Sequence, residues 1–185
     1  MPSFEGLRVL EFSGRVAGAY CGKLLAGFGA DVIRVAGGQT PVLEEDERVW
    51  LHTAKREVRL DPRDHVQRAT LETLVRNTDI VLDAWGIDWL AERGLDAQHL
   101  LQLNPRLVLC QITPFGQTGP RRAWQADDIT LYAASGLMHL TGDPAREPLH
   151  ARPRVCELTA GLHATIAILM ALLRRERDGS GEVID

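Results

Sequence analysis

Short β-rich runs alternate with helical runs along almost the whole chain, and that order constrains the fold more than any other feature. Leu7-Arg8-Val9-Leu10-Glu11-Phe12 alternates apolar and polar and reads as a strand. Val16 to Phe28 follows as a helix, with Ala17, Tyr20, Cys21, Leu24 and Leu25 at helical spacing, and Asp31 to Val35 is the next strand. This is a βαβ unit, whose crossover is expected to be right-handed. Further strands are expected at Glu57–Leu60, Asp79–Leu82, Arg106–Ile112 and Glu182–Asp185. Helices are expected from Asp61-Pro62 to Arg76, near Ile87–Arg93 and Ala97–Leu103, over Asp128–Leu140, and from Val155 to Arg177. In the last of these, Val155, Leu158, Leu162, Ile166, Leu169 and Leu173 share one stripe, and Gly179-Ser180-Gly181 closes it. Strands separated by helices argue for an α/β, Rossmann-like three-layer domain with a mostly parallel sheet.

Loops are expected at Gly37–Val49, Thr113–Pro120 and Gly142–Pro153. The first holds Gly37, Gly38, Pro41 and the acidic run Glu44-Glu45-Asp46-Glu47, which reads as a solvated surface. Asp61 is the expected cap of its helix, with Pro62 in the first turn.

A chain of 185 residues in which 45% are hydrophobic is long enough for one domain with a core, and too apolar for disorder. Its net charge of −4 offers no bulk attraction to nucleic acid. The apolar run Ile166–Leu173 is too short to span a bilayer, and Met1-Pro2-Ser3-Phe4-Glu5 lacks the features of a signal peptide. Cys21, Cys110 and Cys156 form neither a zinc pattern nor a disulfide framework, which points to a reducing cytoplasm and to no bound metal.

Chemistry-bearing residues are few. Ser13-Gly14-Arg15-Val16-Ala17-Gly18 follows a strand and opens a helix, so its N–H groups face any anion placed there, but its glycines lack dinucleotide spacing. Glu157 stands in the first turn of the long helix, followed by the small residues Thr159, Ala160 and Gly161. From composition alone a dipole or capping role explains an acid there better than catalysis does.

An ordered set of motifs resembles the family III CoA-transferases, which include formyl-CoA, carnitine and bile-acid CoA-transferases and the 2-methylacyl-CoA racemases. The set comprises Gly6-Leu7-Arg8-Val9-Leu10-Glu11-Phe12-Ser13, Val16-Ala17-Gly18, Phe28-Gly29-Ala30-Asp31-Val32-Ile33-Arg34-Val35, Lys55-Arg56-Glu57-Val58-Arg59-Leu60-Asp61, Leu103-Asn104-Pro105-Arg106, Phe115-Gly116-Gln117-Thr118-Gly119-Pro120, Ser135-Gly136-Leu137-Met138 and Leu158-Thr159-Ala160-Gly161. It extends along nearly all 185 residues.

The resemblance implies that CoA moves from an acyl-CoA to a carboxylic acid through a carboxylate nucleophile, with coenzyme A as substrate or product and no metal. The nucleophile's position is Glu157, where the family has aspartate. Val16, Ala17, Leu60, Asp61, Arg63, Trp85, Gly86, Arg93, Thr113, Pro114, Phe115, Gly116 and Gln117 fall on CoA-contacting positions. Ala36, Gly37 and Ala84 replace family contact residues. Asp127 falls where the racemases have histidine, making it a possible second acid or base, and Asp128 matches the aspartate that follows. The resemblance further implies that residues 1–185 are the N-terminal part of the family's large domain, in an interlocked homodimer or associated with a C-terminal region. The alternative is a non-catalytic acyl-CoA-binding or assembly module; an acyl-CoA racemase ranks below both.

Overall fold

The computed structural model describes residues 3–36, 43–151 and 154–185. Six strands, β1 (Arg8–Ser13), β2 (Asp31–Ala36), β3 (Arg56–Arg59), β4 (Ile80–Ala84), β5 (Val108–Gln111) and β6 (Glu182–Ile184), form one sheet. Their order is β3-β2-β1-β4-β5-β6, and every pairing is parallel. The α/β expectation is met, and the physical reason is burial of the sheet on both faces. Val9, Val32, Ile80, Leu82, Val108 and Cys110 point to one side, against Cys21 and Leu25 of α1 (Val16–Gly27) and Ile168 and Ala171 of α7 (Val155–Asp178). Leu10, Phe12, Val35, Val81 and Leu109 point to the other, against Leu71 and Val75 of α3 (His65–Arg76) and Leu100 of α4 (Ala97–Leu103). Neighbouring residues such as Val9 and Leu10 thus fill opposite layers, as the two-residue period of a strand requires.

Several local expectations change. Part of the anticipated loop after β2 is a helix, α2 (Glu45–His52). Its first turn is Glu45-Asp46-Glu47, so acidic residues stabilise the positive end of the helix dipole. Gly37, Gly38 and Pro41 lie outside the described residues, as does Pro153. Helix α3 begins three residues later than expected. Asp64, not Asp61, caps it, accepting from the Val66 and Gln67 N–H groups at 2.9 and 3.1 Å, while Asp61 closes the preceding turn on Arg63 N–H at 2.9 Å. The expected Ile87–Arg93 helix is a single 3-10 turn over Ala91–Arg93. The expected Asp128–Leu140 helix is broken into α5 (Asp128–Ala134) and α6 (Leu137–Leu140), because Gly136 adopts φ 83°, which no helix tolerates.

The largest correction concerns α7. Its buried face is Glu157, Gly161, Thr165, Ile168, Ala171 and Arg175. Of the stripe read as its core face, Leu162, Ile166 and Leu173 are exposed. Small residues win the inner face because α7 packs closely on α1: a Cβ on Gly161 would stand 2.5 Å from the Ala17 carbonyl oxygen. By length and composition alone α7, unlike its eight-residue apolar centre, is long enough to cross a bilayer; here its inner face packs on α1 and β5.

Candidate functional site

The order of strands reverses between β1 and β4, so the loops leaving their carboxyl ends diverge and open a crevice. Glycines let the elements around it close up. A Cβ on Gly14 would stand 2.3 Å from the Trp85 ring, and one on Gly18 would stand 2.4 Å from the Ala84 Cβ. The start of α1 is thereby seated over the end of β4.

Glu157, 6% exposed, lies beside this edge in the first turn of α7. Arg15 Nε is 3.3 Å from its Oε1, and Arg154 Nη1 is 3.3 Å from its Oε2. Both arginines are themselves anchored. Arg15 Nη2 donates to the Ala126 carbonyl at 2.7 Å, and Arg154 Nε lies 2.7 Å from Glu47 Oε1. Arg154 has the left-handed backbone φ 34°, ψ 45°, uncommon for a side chain with a Cβ. The orphan N–H of Glu157 donates to Asp128 Oδ1 at 3.0 Å, and Asp128 Oδ2 lies 3.1 Å from His150 Nε2. A carboxylate from another helix thus satisfies one of the free donors of α7, whose own preceding residue supplies no side-chain cap.

A cleft of about 470 Å³ opens on the α5 side of Glu157. Ala17, Ile112, Thr113, Pro114, Phe115 and Ala160 line much of it, with Arg15 and Arg121 as its arginines. Cys156 also faces it, but burial, then the charges of Asp128 and Glu157, push its thiol up, away from a reactive thiolate. A second cavity of about 760 Å³ lies on the α2 side, bounded by Val16, Glu47, Trp50, Asp128, His150 and Arg154.

The remaining residues singled out by sequence are distributed along the same sheet edge. Gly116 and Gln117 hang on Asp185, whose carboxylate oxygens accept from the Gln117 N–H at 3.0 and 2.8 Å. Trp85 stacks on Trp89 at 5.3 Å, and Arg93 lies over the Trp89 ring, its guanidinium carbon 4.0 Å from the centroid. Gly86 follows Trp85 with φ 132°. Leu60 is half-buried against the α3–α4 side of the core, while Asp61 and Arg63 are exposed beyond β3. Leu60, Asp61, Arg63, Trp85, Gly86 and Arg93 line neither cavity beside Glu157. Asp127 is exposed and lines neither cavity; its neighbour Asp128 makes the contacts. Sequence reasoning missed Arg15, Arg154 and His150 as site residues. Arg15 had a signal, its place in the strand-to-helix turn; Arg154 and His150 had none. Among the described residues no three His, Cys, Asp or Glu side chains converge as metal ligands do.

Comparison with known proteins gives this geometry a context. The model of CoA-transferase family III matches residues 4–185. A succinate–glutarate CoA-transferase of Agrobacterium fabrum is 34% identical over 100% of this chain and 50% of its own length. A succinyl-CoA–D-citramalate CoA-transferase of Chloroflexus aurantiacus is 34% identical over 98% of this chain and 48% of its own. A solved structure, a CAIB/BAIF family protein from Brucella suis, superposes with a TM-score of 0.88 at 33% identity, covering 98% of this chain and 52% of its own. The chain spans about half the length of the curated relatives it matches. An all-parallel sheet of this order, matched by a family model from residue 4 to residue 185, leads to one conclusion: the chain belongs to CoA-transferase family III.

Proposed function

We propose that this chain carries the nucleophilic carboxylate of a CoA-transferase, and that Glu157 is that carboxylate. The observation that carries the reading is a buried glutamate, steadied by two arginines, at the wall of a largely apolar cleft. Relatives whose names pair a CoA donor with succinate, glutarate or citramalate support a carboxylic acid as acceptor.

The chemistry balances without an oxidant or a metal. A Glu157 oxygen attacks the thioester carbonyl; the C–S bond breaks, and CoA leaves as thiolate with a mixed anhydride on the side chain. The thiolate then attacks the Glu157 carbonyl, releasing the donor acid and leaving an enzyme-bound thioester. The acceptor carboxylate reverses both steps and departs as the new acyl-CoA. Arg15 and Arg154 hold the carboxyl group against rotation, and the Thr113–Phe115 wall keeps water away from the anhydride. Asp128 fixes the first turn of α7 through the Glu157 N–H. The CoA body is assigned to the sheet edge running past Val16, Leu60, Arg63, Trp85 and Arg93. Association with a second copy or with a further region of the protein is part of the proposal, since Leu162, Ile166, Met170 and Leu173 lie exposed along α7.

The test is covalent trapping. The chain is incubated with succinyl-CoA, quenched with hydroxylamine and mapped by mass spectrometry. A hydroxamate on Glu157, absent in Glu157→Gln, is expected. CoA binding without any adduct at residue 157 would make the carboxylate structural and refute the reading.

A further inference from the structure

The two cavities that flank Glu157 differ in charge. The larger one, toward α2, is bounded by Glu44, Asp46, Glu47 and Asp128, and its one arginine, Arg154, is already shared between Glu47 and Glu157. It repels an anion. In the smaller cleft, toward α5, Glu157 is the only carboxylate of the lining and is paired with Arg15. Arg121 is left over.

Arg121 is held in the lining without being neutralised. Its guanidinium carbon lies 5.2 Å from the Trp124 centroid, and Trp124 packs edge-on against Phe115 at 5.8 Å. Phe115 itself lines the cleft. Among the described residues no carboxylate approaches Arg121 within ion-pair distance, whereas the adjacent Arg122 is engaged by Asp88 at 2.6 Å and by the Gln117 carbonyl at 3.1 Å. Arg122 therefore has a structural partner, and Arg121 has a place on an aromatic shelf and five unengaged donors. The rest of the lining is largely apolar, through Ile112, Pro114, Leu131 and Leu137, with Thr113, Ser135, Thr159 and His163 as its polar members.

We infer that Arg121 reads the distal carboxylate of the acid whose near carboxyl reacts at Glu157, so that the cleft selects short dicarboxylic over monocarboxylic acyl groups. The inference rests on the placement of the reacting group at Glu157. An apolar wall with a carboxylate-reacting centre and a free guanidinium fits a chain of a few methylenes with an anion at each end. A guanidinium binds such an anion with two parallel N–H donors, which a neutral methyl terminus cannot use. The cleft volume, about 470 Å³, accommodates a ligand of that size.

Binding is the test, because it is independent of turnover. Dissociation constants for glutarate, pentanoate and free CoA are measured by NMR titration on the chain, on Arg121→Ala and on Arg121→Lys. Pentanoate keeps the length of glutarate and lacks its second carboxylate. Replacing Arg121 by alanine should weaken glutarate about tenfold to hundredfold, the range of a charge-assisted hydrogen-bonded pair, and leave pentanoate and CoA unchanged. Arg121→Lys keeps the charge without the fork and should recover part of the loss. Equal weakening of glutarate and pentanoate, or glutarate binding that ignores the substitution or is absent from the parent chain, overturns the inference. A loss confined to CoA reassigns the guanidinium to a CoA phosphate and overturns it as well. A chain that binds glutarate through Arg121 yet forms no adduct on Glu157 would retain this inference and remove the transferase reading.

Discussion

Asp83 gives a quantitative test of the buried electrostatics beneath the site. It is the penultimate residue of β4, is 2% exposed, and pairs in register with Phe12 on one side and Gln111 on the other. Its carboxylate has only long neutral hydrogen bonds: Trp85 N–H donates to Oδ1 at 3.4 Å and Gln111 Nε2 donates to Oδ2 at 3.3 Å. No cation lies within ion-pair distance among the described residues. Burial pushes the carboxyl from its ordinary 3.8 up to about 6, against the smaller opposing pulls of Gln111, Trp85 and Arg93. The folded state then binds the proton more tightly than the unfolded chain does. This contribution to stability is complete below pH 3.8 and is lost as the pH rises through 6. The gap corresponds to about 3 kcal/mol, an order-of-magnitude ceiling.

Asp83→Asn removes the titration while keeping the shape. The Asn oxygen accepts from Trp85 N–H, and its amide donates to a flipped Gln111 side chain. The stability of the variant relative to the parent should therefore rise by about 3 kcal/mol between pH 3.5 and 7.5, most of it between 4 and 6. Urea denaturation at half-unit pH steps measures it. The difference between the two proteins is the quantity to read, because His52 acts in the same window with the opposite sign. Burial lowers His52 from 6.5 to about 4, so its contribution rises with pH. It cancels in the difference. A variant-minus-parent difference that is flat with pH, or that falls toward neutrality, would refute the reasoning.

Two further substitutions probe the packing that seats the site. Lys55 and Glu11, both almost wholly buried, form an ion pair at 2.7 Å, and Glu11 also accepts from Ser13 Oγ at 2.5 Å. Lys55→Met leaves a buried carboxylate without its cation and should cost about 3–5 kcal/mol in urea denaturation, whereas an unchanged midpoint would mean that the pair is solvated. Gly161→Ala sets a methyl against the Ala17 carbonyl and should lower stability by about 1–3 kcal/mol despite the better helix propensity of alanine. Because Glu157 stands one turn away on the same buried face, that variant should also slow hydroxylamine-trappable labelling, and a variant that is both more stable and normally labelled would show that α7 has room to move.

The sheet was legible from sequence because a strand buried on both faces is apolar at successive positions, as Val9-Leu10, Val81-Leu82 and Val108-Leu109 are, and short helical runs separate one strand from the next. Helix α7 was legible as a helix but not in its orientation. It is apolar on most sides, so periodicity selects the stripe with the largest side chains, while the closest packing selects the smallest. Gly161 and Ala171 therefore went inward, and Leu162, Ile166 and Leu173 outward. The same contrast separates the halves of the site. Glu157 stood out locally, an acid followed by Thr159-Ala160-Gly161 in the first turn of a helix. Its partners are not marked as such: Arg15 shows only its place in the turn between β1 and α1, Asp128 comes from α5 and Arg154 from an irregular segment, and they meet because the parallel sheet brings the start of α1 and the start of α7 to one edge. Asp127 and Asp128 show how fine that dependence is. Adjacent and chemically identical, they are separated by the helical turn of α5, which exposes the first and places the second on the Glu157 N–H. A reading of residue types alone has no means of choosing between them; a reading of where α5 begins does.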